Sequence, residues 1–225
     1  MNSYSPFDLI YQDDFLLVAN KPAGLLAVPG RGADKQDCLS SRLQLEFPDA
    51  LVVHRLDMAT SGLMMFARGA EMQKLLSLMF EEREVEKRYV AVVAGKLVPE
   101  TGEVNLPIAA DWPNRPLRVI DAELGKPSLT RYRALGLEAG NTRVELEPVT
   151  GRTHQLRVHM KAIGHPILGD ALYGNADSAP RLMLHAAMLK LLHPVTRAHL
   201  HFVDAPPFYA LASGLPEFRL FYSRF

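Results

Sequence analysis

Cysteine is nearly missing from this chain: Cys38 stands alone. No disulfide can close within the chain and no cysteine cluster can hold zinc. Such usage fits a reducing compartment, so a cytoplasmic location is expected. Cys38 lies between Asp37 and Leu39 with no nucleophile motif around it, and reads as a small helix residue. Long apolar runs are also absent, which argues against a membrane span. The N-terminus lacks the basic and apolar regions of a secretory signal. An excess of charge of one sign is missing too. Lys+Arg and Asp+Glu are 25 each, against the profile of a protein that coats nucleic acid along its whole surface. There is no GxGxxG, no GxxxxGK[ST] and no GxSxG, so neither a nucleotide cofactor nor a serine-hydrolase elbow is expected. Repeats and low-complexity tracts are likewise absent.

What remains is a chain of 225 residues, 48% hydrophobic, able to bury a substantial core. Its charge is unevenly spread. Residues 1–114 carry 11 Lys+Arg against 16 Asp+Glu, and residues 115–225 carry 14 against 9, which permits one basic face on a neutral molecule. LIYQDD, FLLVANKP, LVVHRLD, SGLMMFAR and KRYVAVVAG read as strands, and SLTRYRAL with TRVELEPV reads as a hairpin over 128–149. RLMLHAAMLKLLHP and HLHFVDAPP are strand-like or mixed. Helices are expected over 37–47, with Asp37 as a cap, over 70–84, and from about Thr153. In the second helix, Met72, Leu75, Leu76, Met79 and Phe80 form an apolar stripe. In the third, Leu156, Met160 and Ile163 should face the core, while His154, Arg157 and Lys161 share a polar face. Strands outnumber helices without alternating regularly with them. The expected class is α+β, with a mostly antiparallel or mixed sheet.

Three polar clusters could carry chemistry. His54-Arg55-Leu56-Asp57 is followed by Thr60-Ser61-Gly62 and bracketed by apolar strands. On these residues alone, Asp57 is better explained by capping a turn, with Thr60 and Ser61 bonding locally, than by catalysis. Arg152-Thr153-His154-Gln155-Leu156-Arg157 places two arginines near a helix start, fit for a phosphate or a buried carboxylate. Lys87-Arg88-Tyr89 sends Lys87 and Tyr89 to one side of a strand and Arg88 to the other. His199 and His201 share a strand face but lack a third ligand nearby, so no metal is expected. A two-carboxylate glycosidase cannot be dismissed by counting acids alone.

Taken together and in order, NKPAGLLAVPG (20–30), HRLDMATSG (54–62), KRYVAVVAG (87–95), TGRTHQLRVHMKAIGHPILGD (150–170) and LHAAML (184–189) resemble the motif set of the RluA-type pseudouridine synthases. The resemblance runs from about Tyr11 to Pro207. It implies the pseudouridine synthase catalytic fold: a long, mostly antiparallel mixed sheet with flanking helices and a central RNA cleft. It also implies an isomerisation that needs no cofactor and no metal. Uracil is detached from the ribose C1′, turned and rejoined through C5. Asp57 matches the catalytic aspartate, on either a nucleophilic or a glycal route. Tyr89 matches the tyrosine stacked on the target base, and Arg157 the arginine that pairs with the catalytic aspartate. Leu156 is implied as an apolar wall, Arg55 as the filler of the gap left by the flipped nucleotide, and Arg152 and His154 as further substrate contacts. Flipping is required because the reacting atoms are otherwise stacked.

Only 19 residues precede Asn20, so the reading is a single catalytic domain over 1–225 without an S4 domain. DWPNRP (111–116) resembles the short branch that modifies both a tRNA anticodon stem-loop and a 23S rRNA stem-loop. The expected partner is structured RNA; the sequence does not indicate a protein partner. A single-target synthase of the same family and a non-catalytic RNA-binding module are the alternatives. A carbohydrate hydrolase would need a second carboxylate that the sequence does not single out.

Overall fold

A computed structural model describes residues 7–208. The first half of the chain holds β1 (Asp8–Gln12), β2 (Leu16–Lys21), α1 (Leu39–Gln44), β3 (Ala50–Val52), β4 (Ser61–Arg68) and α2 (Ala70–Glu81). Then come β5 (Glu86–Val93), β6 (Thr101–Asn105), β7 (Ile108–Ala110), β8 (Arg118–Ile120), β9 (Leu129–Glu138) and β10 (Asn141–Pro148). The described chain closes with α3 (Gln155–Ala162), β11 (Leu184–Leu192) and β12 (His199–Val203). It divides into two compact units: one from the chain up to Glu86 together with Ala186–Ala205, the other centred on Lys87–His185. The class is α+β, as the sequence predicts.

In the first unit the strand order is β1-β2-β4-β11, with β12 on β11 and β3 on β4. β1–β2, β2–β4, β3–β4 and β11–β12 are antiparallel. β4 is buried on both faces from Ser61 to Ala67, which explains its nearly unbroken apolar run. Against it packs α2 through Met72, Leu76 and Met79, which join Leu16, Val18, Leu63, Met65 and Leu189 in one cluster. The predicted stripe is narrower than expected, since Leu75 sits at its edge and is 41% exposed. α2 also stops before residue 84, because Arg83 takes a left-handed conformation. α1 is shorter than predicted and is not capped by Asp37. The Asp37 carboxylate is occupied by Arg42, at 2.7 Å to both Nε and Nη2. Cys38 takes the cap position, and its sulfur accepts the Ser41 N–H.

The second unit orders its strands β5-β10-β9-β6, all antiparallel, with β7–β8 as a separate two-stranded hairpin. The predicted 128–149 hairpin is β9–β10. β6, β7 and β8, of three to five residues, are not among the segments that the sequence marks as strands. Among the described residues no helix is long and apolar enough to cross a membrane, and no group of three or more His, Cys, Asp or Glu converges to hold a metal ion.

Candidate active site

Residues 53–60 form a loop between β3 and β4 in the first unit. It is pinned on both flanks. His54 stacks on Phe80 at 4.4 Å, and its Nε2 accepts the Met65 N–H at 2.9 Å. Leu56 and Thr60 are buried, and the Thr60 N–H donates to the Asp57 carbonyl to close a turn. Asp57 is half-buried, while Arg55 and Met58 face solvent.

The turn is held from beneath by a residue the sequence did not single out. Lys21 is fully buried, and its ammonium donates to the carbonyls of Pro22 (2.9 Å), Leu25 (2.7 Å) and Met58 (3.1 Å). The Met58 carbonyl also accepts the Gly24 N–H at 2.8 Å. Lys21 and the Gly24 N–H thereby clamp the 22–25 loop to the backbone just after Asp57. Burying an ammonium is costly unless hydrogen bonds replace its water, and three carbonyls do so here. On the other flank, Gly62 has φ +114°, and a Cβ there would meet the Ala186 carbonyl oxygen at 2.3 Å. Only glycine lets β4 run this close to β11 directly after the loop.

In the second unit, Tyr89 lies on β5 opposite Leu146 and is half-buried. Arg88, on the opposite side of the strand, pairs with Glu147 at 2.9 Å. α3 corrects the predicted polar face. Gln155 through Met160 are all buried, so the helix has no solvated stripe at Arg157. The Arg157 guanidinium forks onto Asp170, Nε to Oδ2 at 2.8 Å and Nη2 to Oδ1 at 2.6 Å. Burial pushes the Asp170 carboxyl up. The hydrogen bonds and charge of Arg157, with the N–H groups of Leu172 and Tyr173, outweigh it and hold the group below the usual carboxylate range. The Tyr173 ring lies 5.1 Å from that guanidinium. Its hydroxyl shares a hydrogen bond with His154 Nδ1 (2.7 Å) and accepts the Arg118 N–H (2.8 Å). His154 itself starts the helix in a left-handed conformation, Leu156 is buried, and Lys161 is exposed. Arg152 is exposed and donates to the Pro127 carbonyl.

Two buried polar residues fix this helix to β9. Gln155 accepts from the Thr150 hydroxyl and the Arg152 N–H, and donates to the Leu129 carbonyl and to Thr130 Oγ1. His159 donates through Nε2 to the Leu106 carbonyl and accepts the Thr130 hydroxyl on Nδ1, both at 2.9 Å. Burial lowers the His159 pKa, with the Leu106 bond opposing. The neutral ring is therefore the folded form. Above about pH 6.5, the ordinary histidine value, both folded and unfolded chains carry it neutral and no pH dependence arises. Below that, the unfolded chain takes up a proton that the folded chain resists, so stability falls as pH falls. We expect thermal melts of the wild type to drop more between pH 7.5 and 5.5 than those of His159→Gln. Parallel curves would refute the neutral assignment.

Asp57 and Arg55 thus belong to the first unit. Tyr89, Arg152, His154, Leu156 and Arg157 belong to the second, where His154, Arg157, Asp170 and Tyr173 form one connected group. The family model described as RNA pseudouridylate synthase matches residues 15–162, more than half of the chain. The chain belongs to that family. As an RNA pseudouridylate synthase it is an isomerase acting on RNA. Its sequence is 49% identical over 203 residues to the dual-specificity RNA pseudouridine synthase RluA of Escherichia coli K12, covering 86% of this chain and 93% of that one. It is 48% identical over 207 residues to the protein of the same name from Vibrio cholerae, covering 88% and 84%. The fold is similar to that of human RNA Pseudouridylate Synthase Domain Containing 1. That match has a TM-score of 0.74 and 32% identity, and covers 92% of this chain and 86% of the human one.

The synthase residues that sequence reasoning missed are Lys21, Asp170 and Tyr173. Each lay inside or just beyond a quoted motif. For Asp170 a signal existed: a carboxylate flanked by Gly169 and apolar residues must find a cation when buried.

Proposed function

We propose that this synthase converts uridine to pseudouridine in two kinds of stem-loop, a tRNA anticodon stem-loop and a 23S rRNA stem-loop, with Asp57 as the reacting carboxylate. The observation that carries this reading is the near-half identity, along almost its whole length, to proteins described as dual-specificity RNA pseudouridine synthases. The chain works as one catalytic domain over 1–225, in the cytoplasm, without nucleotide cofactor or metal. The residues keep the roles that the resemblance implies. Tyr89 supports the target base, Arg157 serves the ionised carboxylate, and Leu156 walls the base. Arg55 replaces the flipped nucleotide in the stack, and Arg152 and His154 contact the RNA.

A small footprint accounts for two substrates. Recognition rests on the loop and its adjoining phosphates, read mainly by residues 115–161, where 9 Lys+Arg face 5 Asp+Glu. Two RNAs with the same loop shape present the same contacts. We expect single-turnover pseudouridine formation on both minimal hairpins at rates within about tenfold of each other. Scrambled-loop controls should be inert, and affinity should fall steeply with salt. If one hairpin stays unmodified while the other reacts, the enzyme is a single-target synthase of the family.

A further inference from the structure

The chain has one tryptophan, and it is on the surface. Trp112, at the tip of the β7–β8 hairpin, is 68% exposed, and the Arg115 guanidinium lies 3.6 Å from its ring centroid. A lone exposed aromatic needs no explanation. This one is held in place. The Asp111 N–H donates to the Leu117 carbonyl and the Leu117 N–H to the Asn114 carbonyl, which closes the loop. Both oxygens of the Asp111 carboxylate accept from the Asn114 side-chain amide, at 3.1 and 3.0 Å. Pro113 and Pro116 restrict the backbone on either side of Asn114 and Arg115. At its base the hairpin is anchored to α3: Ile108 and Leu117 pack with Val158 and Tyr173, and the Arg118 N–H donates to the Tyr173 hydroxyl. Val158 is the neighbour of Arg157, and Tyr173 lies against the Arg157 guanidinium.

We infer that Trp112 and Arg115 form a second RNA-docking point, separate from the base-modifying residues: the indole stacks on an unpaired base and the guanidinium holds an adjoining phosphate. One indole face is covered by Arg115. With two-thirds of the residue exposed, the other face is open to a flat partner. A guanidinium stacked on a ring keeps its N–H groups directed outward in its own plane, the geometry that meets a phosphate. Among the described residues no carboxylate lies in ion-pair contact with Arg115, and the nearby Asp111 oxygens accept from the Asn114 amide instead. A flat π surface beside an anion, repeated along a flexible strand, is what single-stranded RNA offers. The rigid base of the hairpin turns this contact into a fixed reference for α3, so that a base seated on Trp112 sets where the RNA backbone meets the Arg157 region. The inference rests on the proposal that stem-loop RNA is the substrate.

The test uses the single tryptophan as its own probe. Full-length Asp57→Asn protein is titrated with the minimal anticodon stem-loop. Tryptophan emission should be quenched and protected from acrylamide, saturating at the RNA concentration at which a separately labelled RNA is bound. In the otherwise wild-type enzyme, Trp112→Ala should lower kcat/KM by about 5- to 100-fold, with Phe restoring most of it, as stacking on one base predicts. Arg115→Ala should reduce the slope of log affinity against log salt by about one. If labelled RNA binds and pseudouridine forms while emission, acrylamide access and the Trp112→Ala rate are unchanged, the docking point is refuted and the substrate reading stands. If neither hairpin binds or reacts, both fall together. Emission that shifts with protein concentration alone would assign the surface to a second copy of the chain and overturn the inference.

Discussion

An Asp57→Asn protein is expected to form no measurable pseudouridine, a loss of about a thousandfold or more, while its affinity for the same RNA stays within about tenfold. Asparagine keeps the size of the side chain and removes its charge. The loop should keep its shape because the anchors described above do not use the carboxylate. Lys21 and Gly24 hold the Met58 carbonyl, and the Thr60 N–H is bound to the Asp57 carbonyl, none of which involves the carboxylate. Affinity comes mostly from phosphate contacts made elsewhere, so binding and turnover should separate. Tritium release from C5-labelled RNA measures the rate, and filter binding measures affinity. A residual rate above a small percentage of wild type, in protein checked by mass for deamidation, would remove Asp57 from the mechanism.

Arg157→Lys should lower the rate by about a hundredfold or more and weaken the fold, although the charge is kept. The Arg157 and Asp170 side chains are 5% and 0% exposed, and the pair is bidentate. A lysine cannot supply two parallel donors, so Asp170 would remain buried with part of its compensation gone. Breaking a buried pair of this kind costs about 3–5 kcal/mol. Replacing both partners by apolar residues, Arg157→Met with Asp170→Leu, should recover much of the lost stability, since no charge is then stranded. It should recover none of the activity. Chemical denaturation together with single-turnover rates separates the two effects. If Arg157→Lys retains a near-normal rate, the guanidinium is not used in the reaction and Arg152 becomes the candidate. If the double apolar variant regains activity, the pair is purely structural.

The parts of the fold that could be read from the sequence are those whose signal is local. β4 shows as an apolar run because it is buried on both faces. β9 and β10 show as a hairpin because turn residues separate two β-rich segments. Features that depend on distant partners stayed hidden. Arg157 reads as fit for a phosphate or a buried carboxylate, and only the fold places Asp170, 13 positions on, against it. Nothing in the sequence singles out Lys21, because the acceptors described above are backbone carbonyls, which every residue has and no sequence marks. The Asp37 cap failed for a related reason: a cap and an ion pair compete for the same carboxylate, and Arg42 took it. The clusters around Asp57, Tyr89 and Arg157 were visible as motifs. That Asp170 and Tyr173 meet at Arg157 could be known only from the fold.

The contact between Gly62 and Ala186 bears on how the protein is made. Strand β4, which leads directly out of the Asp57 loop, is completed on one side by β11, a strand synthesised only after the whole Lys87–His185 segment. A nascent chain that has released Asp57 from the ribosome therefore lacks one wall of that residue's support for on the order of ten seconds at ordinary translation rates. Until then β4 is an apolar strand with an unfilled edge, the kind of surface that pairs with the wrong neighbour. Early truncation within the second unit should consequently yield insoluble product rather than a slow enzyme.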